Sequence, residues 1–225
     1  SRGLIHEYYT PTRVARAIAE ALRPRLADLA NEDGQILSLE PSAGIGRLIE
    51  ALSGDGFDAL RWHACEYSRI SGQLLSALRP DVDVSIGPLE KWVQEHAELQ
   101  GELGLVVSNP PYGERGAAQQ LDPDRAYQDR RAYVYQMRRT LDFLRPGGIG
   151  VYLVPSGFLT GMGPEFIELR RKVLRRHHLM AAFRLPSESE DKKPLFPGAL
   201  LVTDVLFFRA RGGELADVVA EDQAI

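Results

Sequence analysis

A pair of hydrogen-bond acceptors beside a tyrosine is the feature of this sequence that most directly suggests chemistry. The run Asn109–Pro110–Pro111–Tyr112 follows a short apolar segment that ends at Ser108. Two consecutive prolines fix the backbone and remove two N–H donors, so the Asn109 side-chain oxygen and the Pro110 carbonyl are presented as acceptors. Paired acceptors can hold both hydrogens of a planar amine and favour its pyramidalisation, while the tyrosine ring offers a stacking face. These residues predict methylation of an exocyclic or amide NH2 group.

A glycine-rich turn is the second candidate site. Gly44 and Gly46 follow a short apolar run, where glycine allows a sharp turn and the close approach of a ligand. A Gly-x-Gly pair alone is a weak signal, but two acids strengthen it. Glu40 places a carboxylate in the same crevice, which favours a cationic ligand. Glu66 ends the next strand, 20 residues after Gly46, about the spacing of an acid that binds ribose hydroxyls. S-adenosylmethionine, which carries a ribose, an amino acid and a sulfonium, fits this crevice.

The elements that must position these residues alternate between strand and helix. Strands that alternate with helices indicate a mostly parallel sheet covered on both faces, and two final strands with no helix between them indicate a terminal antiparallel hairpin. The charged loop at 187–193 is the best candidate for local disorder. Apolar runs predict strands at 35–39, 61–66, 82–86, 104–108, 149–154, 179–185 and 200–209. Helical spacing and helix-capping residues predict helices at 11–29, 47–52, 70–78, 89–99, 126–144 and 164–176.

Composition excludes several classes of protein. The 225 residues are 44% hydrophobic and 26% charged, which is typical of globular domains and not of disordered or fibrous chains. A single cysteine, Cys65, excludes an internal disulfide framework and fits a reducing, cytoplasmic compartment. No apolar run approaches the roughly 20 residues of a membrane span. With 27 basic and 31 acidic side chains the net charge is −4, so bulk positive charge is not expected to hold nucleic acid.

Two basic clusters could nevertheless contact nucleic acid. The first lies at 125–139, where tyrosines alternate with arginines, and the second lies at 170–178. Such runs are also typical of solvated helix faces, so both interpretations remain open. The His177–His178 pair has no partner Cys or His at metal-ligand spacing, and no metal site is expected.

The motifs resemble those of class I S-adenosylmethionine-dependent methyltransferases. Residues 40–46 (Glu-Pro-Ser-Ala-Gly-Ile-Gly) resemble motif I, the Asn-Pro-Pro-Tyr run at 109–112 resembles motif IV, and residues 7–11 (Glu-Tyr-Tyr-Thr-Pro) resemble motif X. The order X, I, IV resembles the gamma group of N6-adenine DNA methyltransferases, including type I modification subunits and Eco57I-like enzymes. The resemblance covers nearly the whole chain. It implies a Rossmann-like α/β sandwich formed by one catalytic domain, 1–225, whose N-terminal helix region, 1–30, carries motif X.

The resemblance also implies roles for individual residues. Asn109, Pro110, Pro111 and Tyr112 are expected at the target amine. Phe196 matches an aromatic residue that packs on the flipped base, although an apolar anchor for its loop is an equal interpretation. The family usually carries an acid after the third strand that binds the cofactor adenine, whereas Pro88 stands here, so apolar contact with Leu89 and a weaker affinity are expected. The residues expected at the cofactor are Tyr9, Thr10, Pro11, Glu40, Ser42, Ala43, Gly44, Gly46, Glu66, Tyr67, Leu89 and Asn109.

The implied reaction is methyl transfer from S-adenosylmethionine to the N6 amino group of adenine in DNA, as in restriction–modification. One alternative is methylation of RNA at N2 of guanine, because the run at 109–115 is reminiscent of those enzymes. Methylation of glutamine side chains in proteins is a further alternative, because those enzymes also carry Asn-Pro-Pro-Tyr. Another is a non-catalytic methyltransferase-fold module that binds DNA or serves as a scaffold within a larger protein. No target-recognition domain is visible, so another subunit or another part of a longer chain is expected to supply it. The start Ser1–Arg2–Gly3 favours the longer chain.

Overall fold

The computed structural model describes residues 10–188, 192–193, 195–196 and 202–212, except for the Gln119 side chain. The segment predicted to resemble motif X, including Tyr9, therefore lies outside the described residues apart from Thr10 and Pro11. Part of the charged loop at 187–193 and the first two residues of the last predicted strand also lie outside them.

Seven strands of the described residues form one sheet in the order β3-β2-β1-β4-β5-β7-β6. Strands β1 to β5 run parallel, and β7 lies antiparallel between β5 and β6. The predicted mostly parallel α/β sheet with a terminal antiparallel hairpin is confirmed. The strands are β1 (Ile36–Glu40), β2 (Leu60–Glu66), β3 (Asp83–Ile86), β4 (Leu103–Ser108), β5 (Leu144–Pro155), β6 (His177–Leu185) and β7 (Thr203–Ala210).

Helices connect the parallel strands and cover both faces of the sheet. None of those in the described residues is long and apolar enough to cross a membrane. The α-helices are α1 (Thr12–Leu22), α2 (Arg47–Ala51), α3 (Arg69–Leu78), α4 (Leu89–Glu95), α5 (Ala132–Leu141), α6 (Gly157–Thr160) and α7 (Pro164–Leu174). Short 3-10 helices lie at Arg23–Leu29, Ala97–Leu99, Ala117–Gln120 and Arg125–Tyr127.

Three predicted helices are shorter than the apolar spacing suggested. The first ends as an α-helix at Leu22 and continues as a 3-10 helix, because Pro24 lacks the N–H that an α-helix would use there. The helix predicted at 126–144 begins only at Ala132, because Asp129 accepts a hydrogen bond from the Arg131 N–H in a local turn. The helix predicted at 89–99 is interrupted at His96.

The apolar core lies in two clusters, one on each face of the sheet. One contains Leu105 and Val107 of β4 together with residues of α1 and α2, and the other contains Val106 of the same strand with residues of α4, α5 and α7. Because both faces of the central strands are covered, β4 is buried along its whole length. Full burial of each large apolar side chain stabilises the fold by roughly 1.5–3 kcal/mol. The parallel strands are therefore held firmly, and their carboxyl ends share one edge of the sheet.

Candidate active site

A cavity of about 520 Å³ opens at the carboxyl edge of the sheet. The strand order reverses there between β1 and β4, which is where open α/β sheets bind ligands. Its wall combines residues 40–44 after β1, 66–68 after β2, 87–90 after β3 and 109–111 after β4. The volume lies within the range of roughly 300–1,000 Å³ that is usual for small-molecule pockets.

Most of the predicted site residues line this one cavity, although they come from widely separated parts of the chain. The residues in its wall are Thr10, Glu40, Ser42, Ala43, Gly44, Glu66, Tyr67, Leu89, Asn109, Pro110 and Pro111. Pro11, Gly46, Tyr112 and Phe196 do not line it, and Tyr9 lies outside the described residues.

Gly46 serves the turn rather than the cavity wall. Its φ is +83°, in the left-handed region that glycine tolerates, and it precedes the first residue of α2. A Cβ at this position would lie 2.5 Å from Leu75 Cδ1 on α3. Any larger residue would therefore strain the turn and displace Leu75.

The Glu66 carboxylate holds the glycine-rich turn in place. One oxygen accepts a hydrogen bond of 2.6 Å from the Gly44 N–H, and the other accepts one of 2.6 Å from the Ser68 N–H. Hydrogen bonds from backbone N–H groups to a carboxylate are among the stronger ones in proteins. Glu66 thus joins the end of β2 to the loop after β1, at the wall of the cavity.

Glu40 is a buried acid whose charge is poorly compensated by the described residues. Its Oε2 atom has no hydrogen-bond partner among them, although the side chain lines the cavity. Burial raises the pKa of Glu40 well above its usual value, and the negative charge of Glu66 adds to this, against a hydrogen bond from the Ile49 backbone. A cation in the cavity would supply the missing partner.

Asn109 and Pro110 line the cavity, but Tyr112 does not. The Tyr112 hydroxyl lies 3.3 Å from Asn109 Oδ1 and 3.3 Å from the Leu153 carbonyl oxygen. The ring packs against the apolar cluster that contains α4 and α5, and burial raises the pKa of its hydroxyl. Asn109 and Pro110 therefore meet at the cavity, whereas the acceptor role of their oxygens and the stacking role of Tyr112 stay predictions.

Comparisons with known proteins place the chain in a family. Residues 74–189 match the Eco57I restriction-modification methylase family. The chain belongs to this family. It is also 30% identical over 217 residues to Defense against restriction protein B of Escherichia phage P1, across 96% of this chain but only 9% of that protein's length.

Solved structures with the same fold include three methyltransferases. A putative class I S-adenosylmethionine-dependent methyltransferase from Listeria monocytogenes superimposes with a TM-score of 0.70 at 14% identity, over 96% of this chain and 65% of the other. The EcoKI M protein superimposes with a TM-score of 0.66 at 20% identity, over 96% of this chain and 46% of the other. A type I methyltransferase subunit from Streptococcus thermophilus superimposes with a TM-score of 0.68 at 16% identity, over 95% of this chain and 46% of the other. The fold is that of class I methyltransferases, as predicted.

Phe196 is buried in the apolar cluster on the α1 face of the sheet, with only 3% of its surface exposed. Its neighbour Leu195 is also buried there, and the Leu195 N–H donates a hydrogen bond to the Ser187 carbonyl. This is the position expected of an apolar anchor for the loop. Contact of Phe196 with a flipped base stays a prediction and would require the loop to move.

The cavity contains a buried ion pair that sequence reasoning missed. Arg115 donates to Glu90 Oε1 through Nε at 3.0 Å and Nη2 at 2.7 Å, with both side chains buried. The guanidinium also lies 3.5 Å from the centre of the Tyr135 ring. The pair ties α4 to the loop after the Asn-Pro-Pro-Tyr turn, next to Pro88 and Leu89. Its only sequence signal was the extension of that motif to 109–115.

Gln136 was also missed, and it connects the two halves of the site. The Ser42 hydroxyl donates to Gln136 Oε1 at 2.8 Å, and Gln136 Nε2 donates to the Ser108 hydroxyl at 2.7 Å. Gln136 lies on α5 and is buried at the cavity wall. One amide thus links the loop after β1 with the end of β4. No motif marks such a residue, because its role depends on how α5 packs.

Much of the first basic cluster forms internal contacts. Arg139 forms a buried ion pair of 3.0 Å with Asp122, and Arg131 pairs with Asp129 at 3.0 Å. The three tyrosines that lie between the arginines of 125–139 are buried by packing in the apolar cluster that contains α4 and α5, so their rings are not available to stack on nucleic-acid bases. They are Tyr127, Tyr133 and Tyr135.

The second basic cluster is also partly internal. Arg170 is buried and donates to the carbonyl oxygens of Phe158 and Gly161 at 2.8 and 2.9 Å. His177 is buried beside Asp142, with 2.9 Å between Nε2 and Oδ1. These side chains stabilise the fold and are not presented to a partner.

Proposed function

We propose that this chain transfers the methyl group of S-adenosylmethionine to the N6 amino group of adenine in DNA. The observation that carries the proposal is one cavity shared by two groups of residues. Asn109 and Pro110 supply acceptors for an amine, and Glu40 and Glu66 lie beside the glycine-rich turn. Membership of the restriction-modification methylase family supports DNA as the substrate.

The residues present fit S-adenosylmethionine. The unpartnered Oε2 of Glu40 is suited to the ammonium group of the amino-acid moiety, and Glu66 is placed for the ribose hydroxyls. Pro88 and Leu89 form an apolar wall for the adenine ring. When bound, the cofactor supplies an electrophilic methyl group on a sulfonium. The residues of this cavity would hold the cofactor beside Asn109 and Pro110, which line the same cavity.

The Asn-Pro-Pro turn activates the target amine. Asn109 Oδ1 and the Pro110 carbonyl oxygen accept hydrogen bonds from the two N–H groups of the amine. This favours a pyramidal nitrogen and localises its lone pair. Asn109 and Pro110 would hold the amine, which would lose one proton to water, while bound S-adenosylmethionine would supply the methyl group and leave as the thioether. No separate strong base is required. Tyr112 must rotate out of the core to stack on the base, which exchanges its contact with Leu153 for one with the substrate.

We propose that target recognition comes from outside the methyltransferase fold described above. The chain spans 9% of the length of its phage P1 relative and 46% of the EcoKI M protein. Another region or another subunit then selects the DNA sequence, while the cavity described here performs the transfer.

Labelled methyl transfer tests the reaction directly. The protein is incubated with labelled S-adenosylmethionine, unmethylated DNA and RNA, and the nucleosides are identified by mass spectrometry after digestion. We expect N6-methyladenine in the DNA fraction. Methylguanine in the RNA fraction would replace DNA adenine as the substrate. Absence of label, together with no cofactor-induced rise in melting temperature, would contradict the catalytic proposal and favour a non-catalytic module.

Substitution Asn109→Ala tests the acceptor pair. It removes one of two positioned acceptors, so we expect methyl transfer to fall by about 10²- to 10³-fold, as for loss of one preorganised hydrogen-bonding group in other active sites. Cofactor affinity, measured by calorimetry, should change little. Gln128→Ala removes an exposed amide that does not line the cavity and serves as the control. Equal activity of Asn109→Ala and wild type would contradict the mechanism.

A further inference from the structure

Three potential metal ligands meet outside the cavity. His63 lies in the middle of β2, and Asp83, the first residue of β3, is its direct partner across the sheet. His96 follows α4, which packs over the same strands. One ligand atom from each residue can be chosen so that all three lie within 4.8 Å of one another. The cluster thus joins three elements through residues far apart in sequence.

The geometry of the pairs is close to that of a metal site. His63 Nδ1 lies 3.1 Å from Asp83 Oδ2, and the two imidazole rings are 5.8 Å apart between centroids. Ligand atoms about 2.0–2.1 Å from a tetrahedral zinc ion lie roughly 3.4 Å from one another, so the first pair already has the required separation. The other pairs of ligand atoms lie within 4.8 Å and would have to close by up to about 1.4 Å. The Asp83 side chain is 63% exposed and is free to rotate toward His96, while the two imidazole rings would have to shift toward each other.

His96 is oriented as a metal-binding histidine usually is. Its Nδ1 atom lies 3.0 Å from the Trp92 carbonyl oxygen, which can only accept a hydrogen bond. The neutral ring therefore carries its proton on Nδ1 and keeps the lone pair on Nε2. The buried Trp92 indole stacks on the ring at 4.7 Å between centroids and 11° between planes. A backbone carbonyl that fixes the tautomer of a histidine ligand is a common feature of metal sites.

We propose that His63, Asp83 and His96 bind one divalent transition-metal ion, with zinc as the best match. Two imidazoles and one carboxylate favour zinc or its neighbours over magnesium and calcium, which prefer oxygen ligands. Three protein ligands leave the fourth tetrahedral position to water. The bound ion connects the end of α4 to β2 and β3. Because Leu89 and Glu90 in the first turn of α4 line the cavity, this connection also stabilises the cavity wall.

Zinc titration of the tag-free, EDTA-treated chain tests the site. We expect calorimetry to show one high-affinity ion per chain, and saturating zinc to raise the melting temperature by a few degrees, since a ligand that binds only the folded state stabilises it. Bound cobalt(II) should give the visible absorption of a four-coordinate ion. None of these measurements needs a cofactor or a methyl acceptor, so the result is independent of the proposed reaction.

Single substitutions locate the ion. Asp83→Asn changes an exposed side chain, and His96→Gln removes one imidazole without altering the sheet, so both should fold. Each should weaken zinc binding at least tenfold, whereas His178→Gln, a histidine outside the cluster, should leave it unchanged. Equal metal-free melting temperatures verify folding. The proposal is overturned if the wild type binds no zinc, or if Asp83→Asn and His96→Gln bind it as tightly as His178→Gln.

Discussion

At the scale of single residues, Glu40 is the clearest link between electrostatics and ligand choice. A buried carboxylate without a full set of hydrogen bonds destabilises the folded protein in its charged form. Burial and the charge of Glu66 accordingly raise the pKa of Glu40. A raised pKa means that the stability of the free protein falls as the pH rises from about 4.5 toward the folded-state pKa. A cationic ligand would pair with the charged carboxylate and so offset the free-energy cost of burying its charge.

Glu40→Gln should therefore alter how cofactor binding depends on pH. The ammonium group of the cofactor pairs with the carboxylate form, so wild-type affinity should increase from pH 5 toward the folded-state pKa of Glu40, with release of a proton. The glutamine variant should bind roughly 10- to 100-fold more weakly, as for loss of a hydrogen bond to a charged group. Its affinity should lack this rise. Calorimetry in buffers of different ionisation enthalpy measures the proton release.

The control for this prediction is Glu102→Gln, because Glu102 is an exposed acid at the opposite edge of the sheet. It should leave the affinity and the proton release unchanged. If Glu40→Gln releases as many protons as wild type, the assignment of the cofactor's ammonium group to Glu40 is wrong. In the absence of cofactor, the same variant should be more stable than wild type above pH 5, and this advantage should vanish below pH 4.5.

At the scale of elements, α5 aligns the two halves of the site through one side chain. Gln136 accepts from Ser42 and donates to Ser108, so the loop after β1 and the end of β4 are tied to the same helix. The two hydroxyls are separated by 66 positions in the sequence. Neither β1 nor β4 alone fixes the distance from the glycine-rich turn to Asn109. The buried Gln136 amide fixes it, because it binds both segments.

Gln136→Ala should loosen this alignment. It leaves two hydroxyls without their partner and opens a small cavity, so the free energy of unfolding should fall by about 1–3 kcal/mol. Methyl transfer should fall further than cofactor affinity, because the distance between the two halves changes while each half persists. Urea denaturation and steady-state kinetics measure the two effects. Gln73→Ala on the exposed face of α3 is the matched control, and equal behaviour of the two variants would remove Gln136 from the positioning role.

The sheet was predictable because of how its strands are buried. Central parallel strands covered on both faces must be apolar along their length, as β4 is, so short apolar runs indicated them. The edge strands β3 and β6 are mostly half-buried or exposed, but they also contain apolar runs that indicated them. The carboxyl ends of the parallel strands must share one edge, which is why Glu40, Glu66 and Asn109 were expected together. Helix ends were less predictable, because a single Pro24 or the Asp129 turn overrides apolar spacing.

The supporting contacts of the site could not be predicted from spacing. The sequence does not indicate that Glu90 and Arg115 form a pair. Only the tertiary packing shows that their opposite charges meet in the cavity wall. Tyr135 belongs to the cluster that could contact nucleic acid, whereas it is buried with its hydroxyl 2.9 Å from Asp122. In each case the partner is more than ten residues away in sequence, and its position depends on the fold.

At the scale of the whole molecule, exposed arginines lie at opposite edges of the sheet. Strand β6 is antiparallel to β7, which is antiparallel to β5, so β6 runs parallel to β5. Arg175 and Arg176 precede β6 and thus lie at the amino edge of the sheet. The cavity lies at the carboxyl edge. Arg130 is placed near that cavity, because its carbonyl oxygen accepts a hydrogen bond of 2.7 Å from the N–H of Arg115, a residue of the cavity wall.

Two charge reversals test which edge faces DNA. A base that reaches Asn109 must enter from the carboxyl edge, so Arg130→Glu should weaken DNA binding several-fold and reduce the slope of log K against log salt by about 1, the effect of one lost phosphate contact. The ion pair of Arg130 with Glu114 is exposed, so its loss should change stability by less than about 1 kcal/mol. Arg175→Glu carries the same charge change at the amino edge and should leave affinity and slope unchanged. If both variants weakened DNA binding equally, the affinity would depend on the net charge of the protein. DNA would then not be bound along a path past the cavity.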